Sequence, residues 1–172
     1  QVAVRLLENL LNSGFKSEVA LHTINSVLML KSTVETFATV DMVMIDLHNA
    51  EVDFVKIASA PSYIKRGKKV GVITSNSLPI GILEEIEIPA EKRVLRGKDF
   101  LVLTSDGISD TTRYTDNKDW LPDFLGAISE DDPQVIAEMI INKALCLCDG
   151  KPKDDMTVIC ARIDYLGRGG IV

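Results

Sequence analysis

At Phe37 the hydrophobic period of the chain changes. Before it, apolar residues recur every three or four positions. From 37 to 47, and again from 52 to 59, β-branched and apolar residues dominate, separated by His48-Asn49-Ala50-Glu51. A pattern of helical period does not settle as a strand, nor one of period two as a helix, so such a chain must layer helices on a sheet. The turn residues between the two runs predict a β-hairpin with long strands. In the first run both alternate sets, Thr39/Asp41/Val43/Ile45 and Ala38/Val40/Met42/Met44, are largely apolar, which predicts a strand covered on both faces.

Ahead of that change, Val4, Leu7 and Leu11 with Leu6 and Leu10 draw an apolar face that stops at Asn12-Ser13-Gly14, a helix terminator. Ser17-Glu18 opens a second helix carrying Leu21, Ile24, Val27, Leu28 and Leu30, which ends around Lys31-Ser32-Thr33. The short glycine-containing link makes residues 1–31 an antiparallel helical hairpin. No capping residue precedes the first helix, so the chain is expected to be cut just before or within it. His22 has no partner motif nearby and reads as a surface or packing histidine rather than a ligand.

Beyond the long hairpin, Tyr63-Ile64-Lys65 and Val70-Gly71-Val72-Ile73 flank Arg66-Gly67-Lys68-Lys69, which predicts a second hairpin whose basic residues form a solvated turn. Leu78-Pro79-Ile80-Gly81-Ile82-Leu83 leads to a short strand expected near Ile86-Glu87-Ile88. The apolar run from Phe100 to Ser105 is a strand ending at Asp106-Gly107, followed by a polar loop through Tyr114 to Asn117 and a helix from about Trp120 to Ile128. Asp132-Pro133 is a cap followed by proline at the first helical position, and Val135, Ile136, Met139, Ile140 and Ala144 carry that helix's buried face to Asp149-Gly150. A last strand, 156–163, precedes a tail at 164–172. The order is that of an α+β domain spanning 1–172, with sheet and helices over 36–163.

The chain has 172 residues, and nineteen Lys and Arg against twenty-five Asp and Glu leave a net charge of −6, which argues against nucleic acid as a partner. Three cysteines, two of them in one predicted helix, lack the paired spacing of a zinc site and read as buried structural thiols in a reducing compartment. No apolar run reaches the ~18 residues of a membrane span, and no basic-then-apolar leader opens the chain, so this stretch is expected to be soluble, with no membrane contact.

Two places put bare carboxylates at a sheet edge. Thr104-Ser105-Asp106-Gly107 ends one strand, and Lys153-Asp154-Asp155-Met156-Thr157 begins another. Antiparallel neighbours bring those ends together, and the glycine allows close approach of backbone or ligand. Oxygen-only ligation by Asp suits Mg²⁺ or Mn²⁺, which keep several waters and pair naturally with phosphate. Taken singly, each Asp also serves as an ordinary turn or cap residue.

The segments FATVDMVMIDLHNAEVDFVKIASAPSYIKRG (37–67), LPIGILEE (78–85), LVLTSDGISD (101–110) and KDDMTVICARI (153–163), in that order, resemble the PP2C-type (PPM) serine/threonine phosphatase family, and within it the sporulation phosphatases. The resemblance implies layered sheets of antiparallel strands flanked by helices, with the family's N-terminal strands missing from this chain. It implies Asp106 and Asp154 as metal ligands, Asp155 and Gly107 beside them, and Gly81 as a loop glycine near a switch formed by the helical pair. No side chain is catalytic beyond a metal-activated water that attacks phosphoserine or phosphothreonine, on a site of two Mn²⁺ or Mg²⁺ ions. The family's upstream carboxylates are not in this chain, which alone is expected to bind metal poorly and to be inactive or nearly so. The implied substrate is a phosphorylated anti-sigma-factor antagonist, whose release activates a sporulation sigma factor. The implied setting is the cytoplasmic side of a parent protein anchored at the sporulation septum, with a homodimer possible. The alternatives are a catalytically silent phosphatase-like module for protein binding or dimerisation and, with less support, a small-molecule sensor.

Overall fold

The structure, a computed structural model, describes residues 2–31 and 37–164. Gln1, the expected end of the second helix at Ser32-Thr33 and residues 165–172 of the expected tail lie outside the described residues. Two compact units emerge, one made of Gln1–Met42, Phe54–Ala58 and Asn76–Glu91, the other of Val43–Asp53, Ser59–Ser75 and Lys92–Val172.

The first unit opens with helices α1 (Val2–Asn12) and α2 (Ser17–Lys31). Gly14 takes φ +83° and closes α1 while Phe15 N–H donates to Leu10 O at 3.1 Å, a turn that a side chain at residue 14 would strain. Leu21 and Ile24 of α2 are buried against Val55, Ile57 and Ile80, with Leu6, Leu7, Leu28 and Met42 around them. Most of the apolar spacing of both helices is spent on one core, as the periodicity predicts; Val4 and Leu30, expected on those faces, are exposed instead.

One polar residue of α2 is also buried. Asn25, 1% exposed, accepts from Gly81 N–H at 2.7 Å and donates from Nδ2 to the carbonyls of Leu83 (2.9 Å) and Glu84 (3.1 Å). Gly81 sits at φ +92°, and Ile80 bridges to Ala38 through a reciprocal backbone pair. The amide thus holds the 81–84 turn from both sides of its hydrogen-bonding capacity. Asn25→Ala is expected to lower unfolding stability by about 1–3 kcal/mol, since it orphans three backbone groups. A urea titration shifted by under ~0.5 kcal/mol would show the turn to be self-supporting.

Strands β1 (Val40–Ile45), β2 (Glu51–Ile57) and β5 (Ala90–Val94) form a three-stranded sheet in the order β1-β2-β5. The β1–β2 link is shifted from the expected 48–51 to 46–50, since β1 ends at Ile45 and Glu51 belongs to β2; His48 N–H donates to Asp46 Oδ1 and Glu51 N–H to Asn49 Oδ1, both at 2.8 Å. Cover on both faces of the first strand is not what the structure shows. All six residues of β1 are half-buried at a sheet edge, and β2 takes the burial, from Phe54 to Ile57. The strand expected at Ile86–Ile88 is absent; those residues are irregular, and the strand falls instead on the charged segment Ala90–Val94.

The second unit contains a four-stranded antiparallel sheet in the order β4-β3-β6-β7. Strands β3 (Ser62–Arg66) and β4 (Lys69–Ile73) turn through Gly67 and Lys68, with Gly67 at φ +57°. Strand β6 (Phe100–Thr104) pairs with β3 and with β7 (Val158–Arg162), Phe100 facing Arg162 and Thr104 facing Val158. The basic turn is only partly solvated. Lys65 is buried with Nζ on Gly67 O at 2.6 Å, and Arg66 grips buried Asp99 through two bonds of 2.8 and 2.6 Å.

Helices α4 (Trp120–Ala127) and α5 (Pro133–Leu147) bury Trp120, Leu121, Leu125, Ile136 and Ile140 with Tyr63, Phe100 and Val102 of the sheet. The Asp132 cap is as expected, its carboxylate accepting from Gln134 and Val135 N–H. The expected polar loop after Asp106 is instead helical, a four-residue helix α3 (Asp106–Ser109) followed by a 3₁₀ helix over Asp110–Tyr114. The cysteines are all free, but only Cys148 is buried; Cys146 is exposed and Cys160 half-buried, its thiol pushed up to about 11 by burial. Among the described residues no helix is long and apolar enough to cross a membrane.

Candidate metal centre

The site begins where β6 ends. Ser105 N–H donates to Thr157 O at 3.0 Å, adding one rung to the β6–β7 ladder beyond Thr104 and Val158. The Ser105 hydroxyl then accepts from Thr157 N–H at 2.9 Å and donates to Asp155 O at 3.0 Å. A side chain thus continues the strand pairing past the point where the backbone of residue 106 turns into α3. Two residues on, Ile108 is fully buried in the core and its carbonyl accepts from Thr111 Oγ1 at 2.6 Å. Asp106 is held between a sheet rung and a core anchor, which fixes its backbone without using its carboxylate.

Gly107 shows how close the two segments run. A Cβ built on it would lie 2.3 Å from Asp155 O, 2.9 Å from Asp155 C and 3.2 Å from Asp154 O. All three are backbone atoms, so only glycine lets the start of α3 lie on residues 154–155. The structure therefore brings Asp106, Gly107, Asp154 and Asp155 together, as expected from the sequence. Gly81 has a different place, in the first unit, bound to Asn25.

Both candidate ligands are exposed and are used alike. Asp106 Oδ1 accepts from Gly107 N–H at 3.0 Å, and Asp154 Oδ1 from Asp155 N–H at 2.8 Å. Each bond orients a carboxylate with its own next amide, and among the described residues the second oxygens have no protein partner. Asp155 contributes through its carbonyl rather than its carboxylate.

In kind, this donor set fits a hard cation: two rigidly based Asp carboxylates, oxygen only, open to solvent, so that several waters could remain bound. In number it is short. Among the described residues no group of three or more His, Cys, Asp or Glu side chains could hold a metal ion. Sequence reasoning missed Ser105, whose hydroxyl does the joining; its place directly before the Asp-Gly pair, one residue past an apolar strand, was the available signal.

A sequence model described as stage II sporulation protein E (SpoIIE) matches residues 1–164. Stage II sporulation protein E of Bacillus subtilis (strain 168) is 37% identical over 163 residues, 94% of this chain but only 20% of that protein, and that of Priestia megaterium is likewise 37% identical. Among solved structures, the PP2C phosphatase domain of B. subtilis SpoIIE with a fragment of its regulatory domain matches at a TM-score of 0.86 and 37% identity, over 95% of this chain and 50% of that one. The same phosphatase domain presoaked with Mn matches at 0.72 and 35%. Antiparallel sheets flanked by helices agree with that likeness. The chain belongs to the stage II sporulation protein E family and has the α+β architecture of a PP2C-type phosphatase domain.

Proposed function

We propose that the chain is the larger part of a metal-dependent protein serine/threonine phosphatase domain that acts on a phosphoserine anti-sigma-factor antagonist and so activates a sporulation sigma factor. The observation that carries the reading is the junction of Asp106 and Asp154 across Gly107, two carboxylates with outward oxygens fixed by one ladder. Mn²⁺ or Mg²⁺ supplies Lewis acidity and water activation when bound. The part of this chain is to fix two anionic ligands at a set spacing and leave the approach open. The remaining ligands come from elsewhere in the intact protein, and the stretch studied alone is inactive or nearly so. In the cell the domain faces the cytoplasm from a membrane-anchored parent at the sporulation septum.

The test is phosphate release from the phosphorylated antagonist by the intact protein. Release that depends on Mn²⁺ and stops on chelation is the expected result; the absence of any metal-dependent release would overturn the reading. A second reading, a silent phosphatase-like module that binds or dimerises, is favoured by the shortage of ligands among the described residues. It predicts antagonist binding or self-association without hydrolysis.

A further inference from the structure

Beside Asp106 and Asp154, within the second unit, lies a small open pocket of about 20 Å³, room for roughly one water, bounded by Asp110, Asp154, Arg113, Tyr114, Lys153, Cys148 and Met156. Its exposed lining is mostly apolar, and its rim carries two cations, Arg113 and Lys153, and two carboxylates, Asp110 and Asp154. Lys153 Nζ stands 5.7 Å from the centroid of the Tyr114 ring, which steadies a flexible ammonium by cation–π attraction. Among the described residues Lys153 has no carboxylate partner. Arg113 pairs with Asp110 at 3.1 Å, one turn away, but both side chains are largely open to water, at 66% and 49% exposure. Such a pair contributes about 0–1 kcal/mol and can be exchanged for a better-placed carboxylate. The 3₁₀ segment bearing Arg113 and Tyr114 is itself anchored, by buried Thr111 and by Lys118 Nζ on Thr112 O and Thr115 O.

Asp154 is a wall of the same pocket, so a group brought to its carboxylate lies beside Arg113 and Lys153. An acidic side chain suits that position from the solvent side: its carboxylate meets the Lys153 ammonium and, in exchange for Asp110, the Arg113 guanidinium. We propose that Arg113 and Lys153 are specificity-determining residues that select a phosphoprotein segment carrying an Asp or Glu beside the phosphorylated residue. The inference rests on the phosphatase reading.

Two phosphoserine peptides test it on the intact protein, one with Asp and Glu flanking the phosphoserine and one with Asn and Gln in their place. Fluorescence anisotropy in EDTA reads binding, and steady-state hydrolysis with Mn²⁺ reads kcat/KM. The acidic peptide is expected to be favoured about tenfold, equivalent to ~1.4 kcal/mol, with the difference residing in KM. In Arg113→Ala/Lys153→Ala that gap closes, and in Lys153→Glu it inverts in favour of the Asn/Gln peptide. No preference in the unsubstituted protein, or a preference that survives the double substitution, overturns the proposal while leaving the phosphatase reading intact. Equal loss of both peptides would place the cations on the phosphate itself and overturn it as well. Failure to hydrolyse either peptide would instead sink the phosphatase reading.

Discussion

Asparagine in place of Asp106 or Asp154 will abolish Mn²⁺-dependent phosphatase activity of the intact protein, yet the metal-free protein will unfold at the same temperature as before. Asparagine keeps the size of the side chain and the oxygen that accepts from the next amide, so the local bonds at 3.0 and 2.8 Å survive. It loses the negative charge and the outward anionic oxygen. Both sites are exposed, and exposed substitutions that preserve such bonds stay within ~0.5 kcal/mol. A metal ligand is worth at least the ~100-fold in affinity attributed to its supporting partners. At an Mn²⁺ concentration about 100 times the dissociation constant, binding stabilises the fold by ~2.7 kcal/mol, and a 100-fold loss leaves about 0.4. The difference is a loss of roughly 5–9 °C in the metal-dependent part of the melting temperature for a domain of this size. Asp116→Asn, an exposed carboxylate outside the site, controls for loss of charge alone. Retained activity, or an equal fall in the metal-free melting temperature, would mean that the two carboxylates are kept for their turns.

Gly107→Ala reaches the same site through the backbone. The added methyl has nowhere to go, because its nearest neighbours are the Asp155 carbonyl at 2.3 Å and the Asp154 carbonyl at 3.2 Å. No flexible side chain can give way, so α3 and residues 154–155 must part. Overpacking of this kind costs about 1–3 kcal/mol, or roughly 2–12 °C in melting temperature. The functional loss should be out of proportion. Separation strains the Ser105 bonds to Asp155 O and Thr157 N–H and changes the spacing of the two ligands, and a misplacement of about 1 Å can cost ~100-fold in rate. Calorimetry in the absence of metal and Mn²⁺ titration report the two effects separately. A variant that melts within a degree of the parent and titrates normally would show that the close approach is incidental.

How much of this was legible in the sequence depended on whether local pattern and tertiary environment agreed. Helices α1, α2 and α5 announce themselves through periodicity and through Gly14 and Asp132, whose roles are local. The second hairpin was equally readable from Gly67 between two apolar runs. Strand β5 was not, because Ala90-Glu91-Lys92-Arg93-Val94 has neither alternation nor β-branched content except at Val94; its partner strand, not its own side chains, makes it extended. Conversely Ile86 and Ile88, strand-like by composition, pack into the first unit's core from an irregular segment. The helical turns after Asp106 were hidden because Ser, Asp and Thr read as loop formers when their long-range anchors, here Ile108 and Thr111, are unseen. Within the site, the nearness of Asp106 and Asp154 could be read from their places at the ends of neighbouring strands. The part played by Ser105 was harder to read: its place before Asp-Gly marks it, but the two backbone groups it bonds lie some fifty residues away.

The Ser105 hydroxyl bridge separates what must stay constant in this region from what is free to drift. The strand ends that carry Asp106 and Asp154 are tied by main-chain groups, one hydroxyl and the bare backbone of Gly107. The pocket rim beside them is held by an exposed i, i+3 ion pair and a cation over a ring, contacts that a single base change can rewrite at little energetic penalty. Residues 113, 114 and 153 can therefore be exchanged at little cost while the junction of Asp106 with Asp154 is kept.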